Sequence, residues 1–338
     1  MVSIVDYGKN DGFRQEYGKY TMNRFEFESG EILNNVAVEY SLFGTPKYDD
    51  DGKIVNALVF CHESESDCSF FNDFIEFMQD GRVFDKNNYF IISTTALGFP
   101  DSCSPSTTGL KYKFPKYTIK DRVNFKKQFL KEYFNIDRVH GILGLANGGY
   151  DVLTWASTWP DEMDFIIVLN TSYKTNGYRY VISKGIDSFI ESSEDFYSDV
   201  YNESLSRIMV SINHVLYSNY FSKKTFQKMT NDEIDVLLED FVDEGLFVDI
   251  YDFKFRNDAA LEYDVENDLK NIKAKSLIIT SRDDIYYTPE FDSIPLSEMI
   301  EDSKLVFYDS NRSFHGVEDY SIIERDVDEF LKELKKEL

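Results

Sequence analysis

Short, continuously apolar segments recur along most of the chain. Runs of this kind are typical of strands that are buried on both faces of a sheet. Helical patterns lie between several of them, at Ile119–Phe134 and at Tyr150–Thr158, and this alternation predicts a mainly parallel sheet flanked by helices, an α/β fold. The predicted strands, in chain order, are Asn35–Leu42 as the first, then Ala57–Cys61, Tyr89–Ser93, Val139–Leu143, Phe165–Leu169, Ser276–Thr280 and Leu305–Tyr308.

One long interval interrupts this alternation. Between about Lys174 and Asn271 the chain is helical in character, acidic and rich in Phe and Tyr, and no sheet strand is evident. We therefore predict a core formed by residues 1–173 and 272–338, with residues 174–271 inserted as a helical lid. Such a lid would cover the carboxyl edge of the sheet, where open α/β sheets bind ligands. A separate acidic segment, Tyr48–Gly52, predicts a hairpin, because Asp-Gly stands there between two apolar runs.

The net charge of the chain argues against anionic binding partners. Its 338 residues include 61 acidic and 36 basic side chains, which gives a formal net charge of −25, and 42% are hydrophobic. That hydrophobic fraction is ample for one large core, so the chain is expected to be folded rather than disordered. Phosphate backbones and anionic lipid surfaces would repel it, and we therefore expect neither a nucleic acid nor a membrane as its partner.

The cysteines and the apolar runs favour a cytoplasmic protein. There are three cysteines, an odd number, without the spacing of metal ligands, which indicates a reducing compartment and no bound metal. No basic segment followed by a long apolar run comes after Met1, so no signal peptide is expected. No run approaches the roughly 18 to 20 apolar residues that a membrane span needs.

The strongest chemical signal is the segment GLANGG, from Gly144 to Gly149. It follows a predicted strand and precedes a predicted helix, as the G-x-S-x-G nucleophile elbow does in α/β hydrolases. Small flanking residues leave room for the sharp turn that exposes the middle residue. Ala146 stands where the nucleophilic serine would stand, and Asn147 would offer its backbone N–H to an oxyanion.

The partners of such a nucleophile follow in the expected order along the chain. Asp283 and Asp284 come directly after one late strand, and His315 comes in the loop after the next. This is the order nucleophile, acid, base of the α/β-hydrolase triad. Asp284 is our preferred acid, although adjacent carboxylates cannot be separated by sequence, and His315 is the expected base.

The loop after Ala57–Cys61 is expected to supply the second oxyanion donor. We assign that role to the backbone N–H of Ser64. His62, in the same loop, has two interpretations, either a second general base or a side chain that packs and hydrogen-bonds locally.

Together these motifs resemble the homoserine O-acetyltransferase family, a branch of the α/β-hydrolase-fold acyltransferases. The resemblance covers about residues 25–170 and returns weakly near 276–335. This ordered set of motifs is far more specific than a single elbow. The segments that carry it are Tyr89–Ile92, Leu97 with Gly98, Ser102–Gly109, Phe114–Val123, the elbow, and Trp155–Asp161.

The resemblance implies a Ser–Asp–His enzyme that moves an acyl group by a ping-pong route. The acyl donor is normally acetyl-CoA and the acceptor a small molecule with a hydroxyl group, and members commonly dimerise through the helical lid. Carried over by position, Ala146 is the nucleophile position, Asp284 the acid and His315 the base. The family's lid motif with its substrate-binding arginine is not recognisable here, and Arg179 and Arg207 are merely available.

The alanine leaves the activity open. A methyl group cannot attack a carbonyl, so the chain as written is expected to lack serine-dependent acyl chemistry, whether by replacement of a serine or by natural loss. The alternative function is a non-catalytic protein that binds a ligand or partner. The aromatic side chains of the predicted lid form either packed helices or an apolar acyl tunnel; they are Phe189, Phe196, Tyr197, Tyr201, Tyr217, Tyr220 and Phe221.

Overall fold

The computed structural model describes residues 3–5, 15–198, 200–313 and 320–337. Within these ranges, nine strands form one sheet. The strands are β1 (Ser3–Val5), β2 (Gln15–Glu26), β3 (Ile32–Gly44), β4 (Ala57–Cys61), β5 (Phe90–Thr94), β6 (Gly141–Leu145), β7 (Phe165–Leu169), β8 (Lys275–Ser281) and β9 (Ser303–Tyr308). Their spatial order is β1-β2-β3-β5-β4-β6-β7-β8-β9.

The sheet is mainly parallel, as the alternation of strands and helices predicts. From β5 through β4, β6, β7 and β8 to β9, each neighbouring pair is parallel, whereas β1, β2 and β3 are antiparallel to their neighbours. Every residue of β4, β5, β6 and β7 is buried, because helices cover both faces of a parallel sheet. The predicted strands agree with the observed ones to within two residues from β4 onward.

The expectation that Asn35–Leu42 is the first strand is wrong. That segment lies within β3, and β1 and β2 precede it. β2 pairs with β3 in antiparallel register from Gln15 opposite Phe43 to Glu26 opposite Ile32. It contributes Met22 and Phe25 to the core, but most of its other residues are polar, so its apolar period is weak.

Helices pack on both faces of the sheet. They are α1 (Ile119–Phe134), α2 (Asn147–Thr158), α3 (Gly177–Glu191), α4 (Glu203–Tyr217), α5 (Lys223–Phe226), α6 (Asn231–Phe247), α7 (Ile250–Leu261), α8 (Ser293–Met299) and α9 (Ser321–Glu337). α1 has the predicted bounds, since Thr118 and Asp121 form a capping box at its start and Asn135, with φ 57°, ends it. No helix in the described ranges is long and apolar enough to cross a bilayer.

Helices α3 to α7 lie between β7 and β8, and we call them the helical insertion. α3, α4 and α7 share an apolar cluster of their own around Ile190, Met209 and Ile212. Phe255 and Ala259 of α7 instead join the main core, so the insertion is anchored to the sheet through its last helix. The domain boundaries at 174 and 271 stay a prediction.

The predicted hairpin at Tyr48–Gly52 is confirmed as a short one. Tyr48 bridges to Ile54 across it, and the Gly52 N–H donates to the Asp49 carbonyl at 3.0 Å. Gly52 has φ 77°, a conformation that glycine adopts readily.

Candidate active site

Ala146 occupies the sharp turn between β6 and α2. Its φ of 49° and ψ of −117° are strained for a residue that has a Cβ atom. Three hydrogen bonds hold this conformation: the Ala146 N–H donates to the Leu169 carbonyl at 3.0 Å, and the Ala146 carbonyl accepts from the Gly149 N–H at 2.9 Å and from Thr171 Oγ1 at 2.7 Å. The turn therefore has the form of a nucleophile elbow, with a methyl group where the elbow would present a nucleophile.

The glycines around Ala146 are required by close backbone packing. A Cβ atom on Gly144 would lie 2.4 Å from the Gly148 carbonyl oxygen, and one on Gly148 would lie 2.1 Å from the Cys61 carbonyl oxygen. Backbone atoms cannot rotate away as the end of a side chain can, so larger residues would push α2 off β4 and β6. The small residues that the motif analysis singled out thus set the position of the turn.

Asp284 lies in the loop after β8 and is buried. Its Oδ1 accepts from the backbone N–H groups of Tyr286 and Tyr287 and from Ser313 Oγ, all at 2.8 Å. Burial raises its pKa to about 6, although these three donors lower it. Its Oδ2 is buried and has no hydrogen-bond partner among the described residues.

The neighbouring Asp283 is exposed. Burial and hydrogen bonding therefore favour Asp284 over Asp283 as the acid. The predicted base, His315, lies outside the described residues. Oδ2 of Asp284, which has no partner among the described residues, is suited to accept a hydrogen bond from an imidazole N–H.

The two predicted oxyanion residues, Ser64 and Asn147, are brought into contact. Asn147 Nδ2 donates to Ser64 Oγ. Asn147 is the first residue of α2, and the N–H groups of a helical first turn have no acceptor within the helix. An anion at this end of α2 would also be favoured by the helix dipole.

His62 packs in the loop after β4 and is unsuited to act as a general base. Its Nδ1 donates to the Glu63 carbonyl at 2.7 Å, and its Nε2 accepts from the Ala96 N–H at 3.0 Å. Its ring meets Phe99 edge-to-face with centroids 4.6 Å apart. Burial lowers its pKa well below the usual range, so the ring is neutral and both nitrogens are engaged.

Cys61 is also unsuited to replace the missing serine. It ends β4 and is fully buried. Burial raises the pKa of its thiol to about 12, so the thiolate needed for attack is not formed at neutral pH.

A cavity of about 1050 Å³ lies between the elbow and the helical insertion. Leu145 and Asn147 line it on either side of Ala146, and residues of α3, α4 and α7 line it from above. Of the seven aromatic residues proposed as a packed lid or an acyl tunnel, only Tyr217 and Tyr220 line this cavity, so the set as a whole does not form a tunnel. Phe196 is buried, whereas Phe189, Tyr197 and Tyr201 are exposed. The charged side chains among the lining residues are Glu63, Glu65, Asp67, Asp73, Glu76, Asp101, Asp249, Asp252, Arg256 and Arg312.

Neither arginine considered from the sequence lines the cavity. Arg179 is buried in a two-pronged ion pair with Asp292, with both distances 2.7 Å. Arg207 is on the surface and pairs with Glu203 one turn away. Both have structural or surface partners, so neither is available to a ligand in the cavity.

Two arginines that the sequence analysis missed, Arg256 of α7 and Arg312, are among the residues that line the cavity. The Arg256 guanidinium lies 4.4 Å from the Phe99 ring centroid, and its Nη1 donates to the Ser64 carbonyl at 3.3 Å. Among the described residues Arg256 has no carboxylate partner within ion-pair distance. In the sequence, Arg256 is marked only by a short segment in which aromatic and basic residues alternate, Phe253 to Arg256. That pattern does not indicate that Arg256 lines a cavity.

The chain is similar in sequence to acyltransferases of other organisms. It is 37% identical over 298 residues to a probable acyltransferase of Methanothermobacter thermautotrophicus, which covers 88% of this chain and 92% of that protein. It is 29% identical over 213 residues to the homoserine O-acetyltransferase of Sulfurimonas autotrophica, which covers 56% of this chain and 55% of that enzyme. The match to the second relative thus spans about half of its length. The chain matches no protein-family model.

Solved structures show the same fold at low sequence identity. The homoserine O-acetyltransferase of Bacillus anthracis superposes with a TM-score of 0.81 at 18% identity, covering 94% of this chain and 97% of that one. Esterase E22 superposes with a TM-score of 0.80 at 18% identity, covering 94% of this chain and all of that one. Both transferases and esterases therefore share the architecture described above.

Proposed function

Because the chain belongs to the homoserine O-acetyltransferase-like family of α/β-hydrolase-fold acyltransferases, we propose that its cavity is an acyl-transfer site of the Ser–Asp–His type. Ala146 occupies the nucleophile position in this site, Asp284 is the acid and His315 the base. The observation that carries the proposal is the strained elbow at Ala146, because backbone strain of this kind clusters at functional sites.

With a serine at position 146, the reaction would follow the usual two steps. The serine Oγ attacks the acyl carbonyl carbon while His315 takes its proton, and the N–H groups of Asn147 and Ser64 bind the resulting oxyanion. The bond to the leaving thiol or alcohol then breaks, and His315 returns the proton to that group. An acceptor hydroxyl, or water in an esterase, next attacks the acyl-enzyme by the same route in reverse.

The chain as it stands is proposed to bind acyl substrates without forming an acyl-enzyme. The alanine methyl has no lone pair, and loss of the nucleophile alone costs roughly 2 × 10⁶ in kcat in subtilisin, the case on which this magnitude rests. Arg256 is suited to bind a carboxylate on a small acceptor, since its planar guanidinium can make a charged bidentate contact and it has no ion-pair partner among the described residues. Acetyl-CoA remains the proposed donor.

The decisive experiment compares the chain with its Ala146→Ser variant. Both are incubated with p-nitrophenyl acetate and with acetyl-CoA, and the release of the leaving group and the mass of the protein are followed. We expect a burst and a mass gain of one acetyl group for Ala146→Ser and neither for the original chain. Ala146→Gly is the matched control, because it changes the same position without adding a hydroxyl.

A folded Ala146→Ser variant that stays silent with both donors would overturn the acyl-transfer proposal. A second candidate, a non-catalytic ligand-binding protein, would then be preferred. The observation that favours it is the intact cavity beside an alanine that cannot react. It predicts that the original chain binds a small hydroxy acid, such as homoserine, with an affinity that does not change in Asp284→Asn.

The role of Arg256 is tested separately in the Ala146→Ser background. Arg256→Gln is expected to raise KM for a carboxylate-bearing acceptor roughly 10- to 100-fold, the range of a lost charged hydrogen bond. KM for p-nitrophenyl acetate, which has no carboxylate, should not change. Equal effects on both would indicate a folding defect instead.

A further inference from the structure

Two side-chain hydrogen bonds in series join the loop after β8, the first residue of α2 and the loop after β4. Tyr287 Oη donates to Asn147 Oδ1 at 3.0 Å, and Asn147 Nδ2 donates to Ser64 Oγ. The three residues follow β8, β6 and β4, respectively. We call these residues the loop bridge. No sequence motif assigns a role to the side chain of Asn147 or to Tyr287.

The bridge also reaches the proposed acid. The backbone N–H of Tyr287 donates to Asp284 Oδ1 at 2.8 Å. Tyr287 is itself immobilised, because only 1% of its surface is exposed and its ring packs edge-on against Tyr150 and 5.2 Å from the Arg179 guanidinium. One fixed tyrosine therefore connects the acid, through Asn147, to the loop that holds Ser64.

We propose that the loop bridge is a positioning device, in which Asn147 holds the two oxyanion N–H groups at a fixed separation and Tyr287 anchors them to the acid loop. The proposal rests on the acyl-transfer function proposed above. Oxyanion donors act through preorganisation, and displacements of about an ångström can cost roughly 100-fold in rate. Ser64 lies on a loop and Asn147 at a helix start, so without the bridge their spacing would depend on separate backbone segments.

The kinetic test uses Tyr287→Phe, Asn147→Leu and Ser64→Ala in the Ala146→Ser background. Each variant keeps every backbone N–H and removes one side-chain group of the bridge. We expect acylation by p-nitrophenyl acetate to slow roughly 10- to 100-fold, with KM changed by less than about twofold, because positioning acts on the transition state. The pH profile should not move, since Asp284 keeps its backbone donors.

A matched control and a double variant separate positioning from general damage. Tyr89→Phe also removes a buried tyrosine hydroxyl, one without a hydrogen-bond partner among the described residues, at the opposite end of the sheet. It should leave acylation unchanged. The double variant Tyr287→Phe/Ser64→Ala should show a smaller fall in acylation rate than the product of the two single-variant falls, because both residues act through Asn147. The proposal would be overturned if the two falls in acylation rate simply multiplied in the double variant, or if Tyr287→Phe acylated at the unchanged rate.

A second measurement needs no activity and uses the original chain. Amide hydrogen exchange of a peptide covering residues 61–68 should quicken severalfold in Tyr287→Phe and stay constant in Tyr89→Phe. If Ala146→Ser proves silent, the acyl-transfer function fails, and this exchange then decides the bridge by itself. Faster exchange supports the coupling of the loops, and unchanged exchange overturns it.

Discussion

Replacing Asp151 by asparagine should destabilise the protein strongly. Asp151 lies on α2, just past the elbow, and its Oδ2 accepts from Lys126 Nζ at 2.6 Å and from Arg122 Nη2 at 3.0 Å. The three side chains are at most 2% exposed. Asp151→Asn removes the one anion of this group and leaves two buried cations without a counter-charge.

The size of the effect follows from the burial. Removing one partner of a buried ion pair costs about 3 to 5 kcal/mol, because the remaining charge cannot be solvated. A domain of this size shifts its Tm by about 2 °C for each kcal/mol, so we expect a fall of roughly 6 to 10 °C. Lys126→Met should cost less than about 2 kcal/mol, since it leaves Arg122 and Asp151 as a one-to-one pair.

Thermal and urea unfolding followed by circular dichroism measure these changes. Asp161→Asn is the matched control, because Asp161 and Lys273 form an ion pair at 2.9 Å with 81% and 65% of their side chains exposed. Exposed pairs contribute about 0 to 1 kcal/mol. A loss in Asp151→Asn no greater than in Asp161→Asn would show that the buried group is solvated or relaxes, and the reasoning would fail.

Three further predictions concern charge and assembly. Burial raises the pKa of Glu63 to about 8 and that of Asp284 to about 6, so the native state binds more protons than the unfolded state from about pH 4 to 8. The free energy of unfolding should therefore fall as pH rises through this window. Urea titrations at several pH values should show a smaller fall for Glu63→Gln, and an unchanged dependence of unfolding free energy on pH would contradict this. In Ala146→Ser, turnover of acetyl-CoA should rise with salt concentration, because salt screens the repulsion between this anionic donor and the cavity carboxylates. Turnover of neutral p-nitrophenyl acetate should stay constant, and an equal salt dependence of both substrates would refute the electrostatic argument. A homodimer through the helical insertion should appear in sedimentation equilibrium and dissociate in Phe247→Glu, whose phenylalanine is 90% exposed; a monomer at all concentrations would exclude it.

Sequence reasoning succeeded where the signal is local. The bounds of β4 and β7 follow from apolar runs, and those of α1 from its helical pattern. The elbow was recognisable because its glycines are needed by backbone contacts at the turn itself. β2 was missed, since a strand near the sheet edge needs few apolar residues and its period is diluted by polar ones.

Sequence reasoning failed where a residue's environment depends on distant segments. Arg179 and Arg207 were equivalent in the sequence, yet one is buried against Asp292 and the other is on the surface. Arg256 reaches the cavity because α7 packs over the loop that holds Ser64, 192 residues earlier in the chain. No sequence pattern along α7 indicates that this helix contacts the loop that holds Ser64.

By itself, the sequence determined the α/β class, most strands and the sharp glycine-flanked turn at Ala146, because each depends on hydrophobic period or glycine placement over short distances. The order of nucleophile, acid and base along the chain stays a prediction. Only the tertiary structure decided that Asp284 rather than Asp283 is buried, that Arg256 faces the cavity and that Tyr287, Asn147 and Ser64 are joined. The physical reason is that burial and hydrogen bonding arise from contacts between segments far apart in the chain, which the order of strands in the sheet brings together.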